Sequence, residues 1–149
     1  MKLSPHFTLA ELTVSQTAAR SGLKNSPNVA QTQALTQLCL GILEPLRARV
    51  NRQITVSSGF RSPTINRRIG GSASSQHCKG EAADFTIPGM TVAEVVALIV
   101  AMRLPYDQII DEFGKWVHVS HKASGIQRRQ ILKARIEGGK TVYLPWSKP

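Results

Sequence analysis

The stretch Asp107-Gln-Ile-Ile-Asp-Glu-Phe-Gly-Lys-Trp-Val-His-Val-Ser120 holds two short apolar runs on either side of Gly114-Lys115. Runs of β-branched and aromatic residues separated by a glycine turn read as a β-hairpin. The length of the turn decides which side chains share a face. A three-residue loop, Phe113 to Lys115, puts positions 110, 112, 116 and 118 together, so that Glu112 accompanies His118. A two-residue loop, Gly114-Lys115, instead sets Asp111 opposite His118.

Working outward, two further strands are expected near Gln130–Ile136 and Thr141–Leu144, around the turn Gly138-Gly139. Upstream, Ala82 to Ile87 reads as a strand closed by Pro88-Gly89, and Ile54 to Ser58 as a strand ending at Gly59. Helix signals fill the first half. Thr8-Leu-Ala-Glu11 and Thr91-Val-Ala-Glu94 are capping-box patterns, the second opening an apolar helix to about Met102. Ser26-Pro27 supplies an N-cap and a proline for the first helical position. The helix that follows runs to about Val50 with Leu35, Leu38, Ile42 and Leu46 at helical spacing, and Pro45 is expected to kink it. Ser62-Pro63 starts a short helix that ends near Gly70-Gly71. Helices first and strands last predict an α+β fold, an antiparallel sheet with N-terminal helices.

The 149 residues suit one domain, 1–149. A chain of this size buries roughly 68–70% of its unfolded surface, so its core needs no disulfide staples. Cys39 lies in an apolar helical stretch and Cys78 in a polar one; both read as free thiols, which suits synthesis in a reducing compartment. The start of the chain lacks the apolar run and cleavage site of a secretory signal. No segment reaches the roughly 18 apolar residues of a membrane span. The expectation is a monomer made in the cytoplasm without a signal peptide, which something else must let out if its substrate lies outside the membrane. The net charge of +10 calls for an anionic partner, either a cell-wall polymer or a nucleic acid. Few aromatics and no recognisable binding motif argue against nucleic acid.

The segment Ser75-Gln-His77-Cys-Lys-Gly80-Glu-Ala-Ala-Asp84 places an imidazole and a carboxylate seven residues apart, with Gly80 letting the chain bend between them. His118 supplies a second imidazole from a strand, where a ligand is held rigidly. Two His and one Asp leave a tetrahedral ion one open position, as in catalytic rather than structural zinc sites. The spacing alone is not specific, and a half-buried strand histidine or a turn-forming aspartate accounts for it equally well.

The strings SSGFRSPTINRRIGGSASSQHCKGEAADF and DQIIDEFGKWVHVS resemble the zinc D-Ala-D-Ala carboxypeptidase family, peptidase family M15. The likeness is to its small phage and prophage type, related in fold to the hedgehog signalling domain. The motif S-x-H-x-x-G-x-A-x-D is met at Ser75, His77, Gly80, Ala82 and Asp84, and W-x-H-x-S at Trp116, His118 and Ser120. FTLAELTVSQTA and GGKTVYLP extend the likeness over nearly the whole chain. It implies Zn2+ held by His77, Asp84 and His118, and hydrolysis of peptidoglycan peptides by a D,D-carboxypeptidase or an endopeptidase such as a phage endolysin.

A zinc hydrolase needs a general base. Many relatives carry an acid three positions before the last histidine, but here that position is Lys115. Phage-type relatives resemble this chain in having Glu before the Phe, so Glu112 is the expected base and Asp111 its competitor. Arg61, after a strand and a glycine, is expected to hold the substrate's carboxylate or the developing oxyanion. Ser75 is a candidate to bind substrate or to orient its loop. Lys115 also keeps open a zinc-binding interaction module without catalysis. Arg67-Arg68 and Gln127-Arg128-Arg129-Gln130 are basic clusters that read as solvated faces or as a track for an anionic polymer.

Overall fold

The computed structural model describes residues 1–148; Pro149, the last residue of the expected domain, lies outside them. Strands β1 (Lys2–Ser4) and β2 (Phe7–Thr8) form a small antiparallel ribbon. Helices α1 (Gln16–Ser21), α2 (Val29–Leu38) and α3 (Glu44–Val50) follow. Next come β3 (Thr55–Ser58), α4 (Pro63–Arg68), β4 (Ala82–Thr86) and α5 (Val92–Ala101). The chain ends with β5 (Gln108–Glu112), β6 (Trp116–Ser120), β7 (Gln130–Glu137) and β8 (Lys140–Pro145). The fold is α+β. Its six-stranded sheet has the order β3-β4-β6-β5-β7-β8.

The sheet departs from the expected antiparallel pattern at one place: β7 pairs with β5 in parallel. After the hairpin β5–β6, the chain crosses β5 through residues 121–129 and adds β7 to its far side. That strand runs antiparallel to β6 and therefore parallel to β5. A parallel neighbour needs such a crossover, and turn signals alone do not reveal on which side of the sheet it lands.

The long helix starts two residues later than Ser26-Pro27 suggested. Asn28 accepts the Gln31 backbone N–H at 2.8 Å, and the Gln31 side chain accepts that of Asn28 at 2.8 Å. This reciprocal box satisfies two end donors where a lone serine cap would satisfy one. Pro45 does disturb the helix. It has no N–H to give the Gly41 carbonyl, and the preceding turn, Cys39–Leu43, widens so that Glu44 N–H reaches the Cys39 carbonyl. The helix resumes and ends at Asn51, whose φ of 51° is left-handed. The box at Thr91 and Glu94 forms as read, with bonds of 2.9 and 3.1 Å.

Strand alternation divides the sheet's two faces. Ala83, Phe85, Val117, Val119 and Ile109 are fully buried and share one core with Leu35, Leu38, Ile42 and Leu46 of the long helix and Val95, Val96 and Ile99 of α5. The opposite face carries Asp84, His118, Ile110 and Glu112. No helix among the described residues is long and apolar enough to cross a membrane.

Gly80 joins the two halves. Its φ is +72°, and a Cβ there would lie 2.4 Å from the Gln31 carbonyl oxygen at the start of α2. Gly114 has a similar φ of +68° but open space around it. Gly114→Ala should therefore cost only the left-handed penalty of about 1–2 kcal/mol. Gly80→Ala should cost clearly more, because backbone must also move. Thermal melts of the two variants check this; equal losses would show that the close approach to α2 is not a constraint.

Candidate metal and active site

Asp84 and His118 face each other directly across the β4–β6 ladder, and Ile110 continues the row on β5. His118 Nδ1 lies 3.0 Å from Asp84 Oδ1. His77 arrives from a different kind of element, a single 3-10 turn over Gln76–Lys79. Ser75 caps this turn: its hydroxyl accepts the His77 backbone N–H at 3.2 Å. Gly80, in the left-handed conformation, ends it and lets β4 begin. The capping accounts for Ser75 locally, and its side chain also borders the cavity.

His77 Nδ1 donates to the Gly59 carbonyl at 2.7 Å, which turns Nε2 toward Asp84 Oδ1 at 3.4 Å. A bond from one ring nitrogen to a backbone carbonyl is how ligating histidines are oriented. With Nδ1–H committed, Nε2 is free to offer its lone pair beside the carboxylate oxygen. One ligand atom from each of His77, Asp84 and His118 lies within 4.8 Å of the others. Two imidazole nitrogens and a carboxylate are a donor set for a zinc-like divalent ion, with a coordination position left open. The residues fit the metal. Burial works to raise the Asp84 pKa, but hydrogen bonds from His118 and His77 prevail and hold it well below the usual carboxylate range.

Cys78 takes no part in this cluster. Burial raises its thiol pKa and pushes that of Cys39 up to about 12, so neither is a ready thiolate. His121 Nδ1 is occupied by the Pro105 carbonyl at 2.6 Å, and His6 by Glu44 at 2.8 Å.

The hairpin has the three-residue turn. Glu112 pairs with Trp116 and Ile110 with His118, while Phe113 and Gly114 both take left-handed φ values. Glu112 therefore shares the face of His118 and borders the same cavity, which has a volume of about 430 Å³. Asp111 points the other way, is buried, and accepts the Gly114 backbone N–H at 2.8 Å. It is the turn former. Lys115 sits in the turn and borders a different cavity. Burial pushes the Glu112 pKa up; Asp84 and Asp111 add to this and His118 opposes it.

Arg61 borders the site cavity from the β3 side. Its Nη1 donates to Asn66 Oδ1 at 2.9 Å, and the buried Asn66 is itself fixed through Nδ2 to the Ser72 carbonyl at 2.8 Å. Sequence reading missed Asn66 as the residue that aims Arg61. It also missed Gln108, Tyr143 and Arg128, all of which border the cavity. Period-two alternation from Glu112 would have found Gln108, but Tyr143 and Arg128 depend on where β7 and β8 attach. Trp116 borders the cavity as well, packs edge-on against Phe113, and buries an indole N–H with no partner among the described residues. In the run Gln127-Arg128-Arg129-Gln130 both arginines are exposed, as on a solvated face, but each is also held by partners. Arg128 pairs with Asp107, and Arg129 lies over the Tyr106 ring and donates to the Leu104 carbonyl.

With the geometry in place, comparison with known proteins identifies the class. A family model described as Peptidase M15 matches residues 5–120, and the chain belongs to that family. Among curated proteins, it is similar to the zinc D-Ala-D-Ala carboxypeptidase of Streptomyces albus G, with 40% identity over 81 residues. That match covers 54% of this chain and 31% of the relative, so it spans less than a third of the relative's length.

Two expectations follow. Asp84→Asn should weaken Zn2+ or Co2+ binding by more than about a hundredfold, the upper range for losing only a supporting partner of a ligand; calorimetry or cobalt absorption reads it. In the metal-free protein, Glu112→Gln should raise the melting temperature near neutral pH. The folded-state pKa of Glu112 is raised, so its ionisation opposes folding as pH rises above the unfolded value of about 4.3. The gain should vanish below about pH 4, where glutamate is protonated in both states. A gain independent of pH would point to packing instead.

Proposed function

We propose that this protein is a zinc-dependent peptidase that hydrolyses peptide bonds of bacterial peptidoglycan. The observation that carries the reading is the placement of Glu112 beside a three-ligand cluster, in a cavity that Arg61 enters from the other side. Membership of the M15 family and the zinc carboxypeptidase relative support it.

His77, Asp84 and His118 hold the ion. When bound, zinc supplies Lewis acidity to the scissile carbonyl and to the attacking water. Glu112 accepts the proton of that water on its carboxylate and passes it to the nitrogen of the leaving amine. Its partly buried site, which favours the protonated form, suits the second half of that transfer. Arg61, steadied by Asn66, binds the anionic end of the peptide or the oxyanion by charge-assisted hydrogen bonds. The positive surface draws the enzyme to an anionic wall polymer.

A carboxypeptidase releases one terminal residue, whereas an endopeptidase, the activity of a phage endolysin, opens stems or cross-links. Mass spectrometry of products from purified peptidoglycan tells these apart. Product formation should stop with a chelator and return with Zn2+. Glu112→Gln should lower the rate by about a hundredfold or more while zinc stays bound. Full activity in that variant would remove Glu112 from the mechanism. Walls left uncut by the zinc-loaded wild-type protein would favour a binding module of the same fold.

A further inference from the structure

Arg128 is about half exposed at the rim of the cavity, yet it is held by several bonds. Its backbone N–H donates to Asp107 Oδ1 at 2.7 Å, and its Nε and Nη2 donate to Asp107 Oδ2 at 3.0 and 2.8 Å. Asp107 is 0% exposed, and its own backbone is tied to Ser120 and Gln130 at the start of β5 and β7. Burial acts to raise the Asp107 pKa, but the Arg128 bonds and the nearby Lys122 charge outweigh it, so the carboxylate stays ionised. The guanidinium plane is thus fixed from below. Nη2 also reaches Gln76 Oε1 at 3.3 Å, next to the metal ligand His77. Nη1 has no protein partner among the described residues, and the side chain borders the site cavity.

An ion pair that only neutralised the buried Asp107 would not need an arginine bordering the cavity, since Lys122 already lies 3.9 Å from the same carboxylate. The cavity has a guanidinium on each side: Arg61 follows β3, and Arg128 precedes β7. A peptide with one terminal carboxylate satisfies only one of them. The free Nη1 of Arg128, held in a fixed plane by the bonds to Asp107, can donate to a second carboxylate.

We propose that Arg128 is a substrate-recognition residue that binds a second carboxylate, carried by the peptide on the N-terminal side of the scissile bond. The preferred substrate is then an acidic peptide. This rests on the peptidase reading, with Arg61 on the anionic C-terminal end.

Binding is measured by calorimetry on zinc-loaded Glu112→Gln protein, so that turnover does not enter. The probes are N-acetyl-Glu-D-Ala-D-Ala and its counterpart with Gln in place of Glu. The acidic peptide should bind about tenfold tighter or more. The preference should fall to less than about threefold when Asp107→Asn and Arg128→Gln are combined, which leaves no buried carboxylate without its arginine. Arg128→Lys keeps a cation beside Asp107, safeguards the fold, and should also shrink the preference. Equal affinity for the two peptides before either change, or a preference that survives in the folded variants, overturns the proposal. Hydrolysis is scored separately on the wild-type protein. If neither these peptides nor purified peptidoglycan is cut, the peptidase reading falls, while the affinity ratio still decides the role of Arg128.

Discussion

The register that sets Asp84 opposite His118 lies between two strands that are each paired on their outer side as well, β4 with β3 and β6 with β5. Neither ligand can slide without breaking hydrogen bonds on both flanks, and a one-residue slip would turn both side chains into the core. His77 is the ligand outside the sheet. Its position is recovered by local devices: the Ser75 cap, the bond from its ring to Gly59, and the close approach of Gly80 to α2. The site is therefore two parts ladder and one part capped turn, and the turn inherits its rigidity from the helix behind it.

The two faces of the sheet have divided the work. One face is saturated with Phe85, Val117, Val119 and Ile109 and supports folding. The other concentrates charge. Asp84 stays ionised because its imidazole neighbours outweigh burial, whereas Glu112 is pushed toward its neutral form. Two carboxylates on one face are thus driven in opposite directions by their surroundings, which suits one to holding a cation and the other to exchanging a proton. The stability sacrificed at Glu112 is supplied by the apolar side.

Much of this was legible in the chain because the signals were local. The Thr91–Glu94 box and the hairpin around Gly114 each depend on residues a few places apart, whereas the set His77, Asp84 and His118 came from the family resemblance. The choice between Glu112 and Asp111 was reduced to the length of one turn, and the left-handed Phe113 and Gly114 resolve it. Other features were hidden for physical reasons. Asn28 displaced Ser26-Pro27 because Gln31 reciprocates its cap. Arg128 looked like part of a solvated run because Asp107, its partner, is remote in sequence and becomes a neighbour only through the crossover that makes β7 parallel to β5. Asn66 was hidden for a different reason: its anchor, the Ser72 carbonyl, lies in a polar loop whose path no periodic pattern reveals.

The crossover through residues 121–129 has a wider meaning. It lies outside the hydrogen-bonded ladder and is fastened largely by side-chain bonds, above all to Asp107. The registers of β4, β5 and β6 are set by their own ladders. A lineage of such proteins can therefore reshape the rim of the cavity by rewriting this segment, while the Asp84–His118 register is passed on intact.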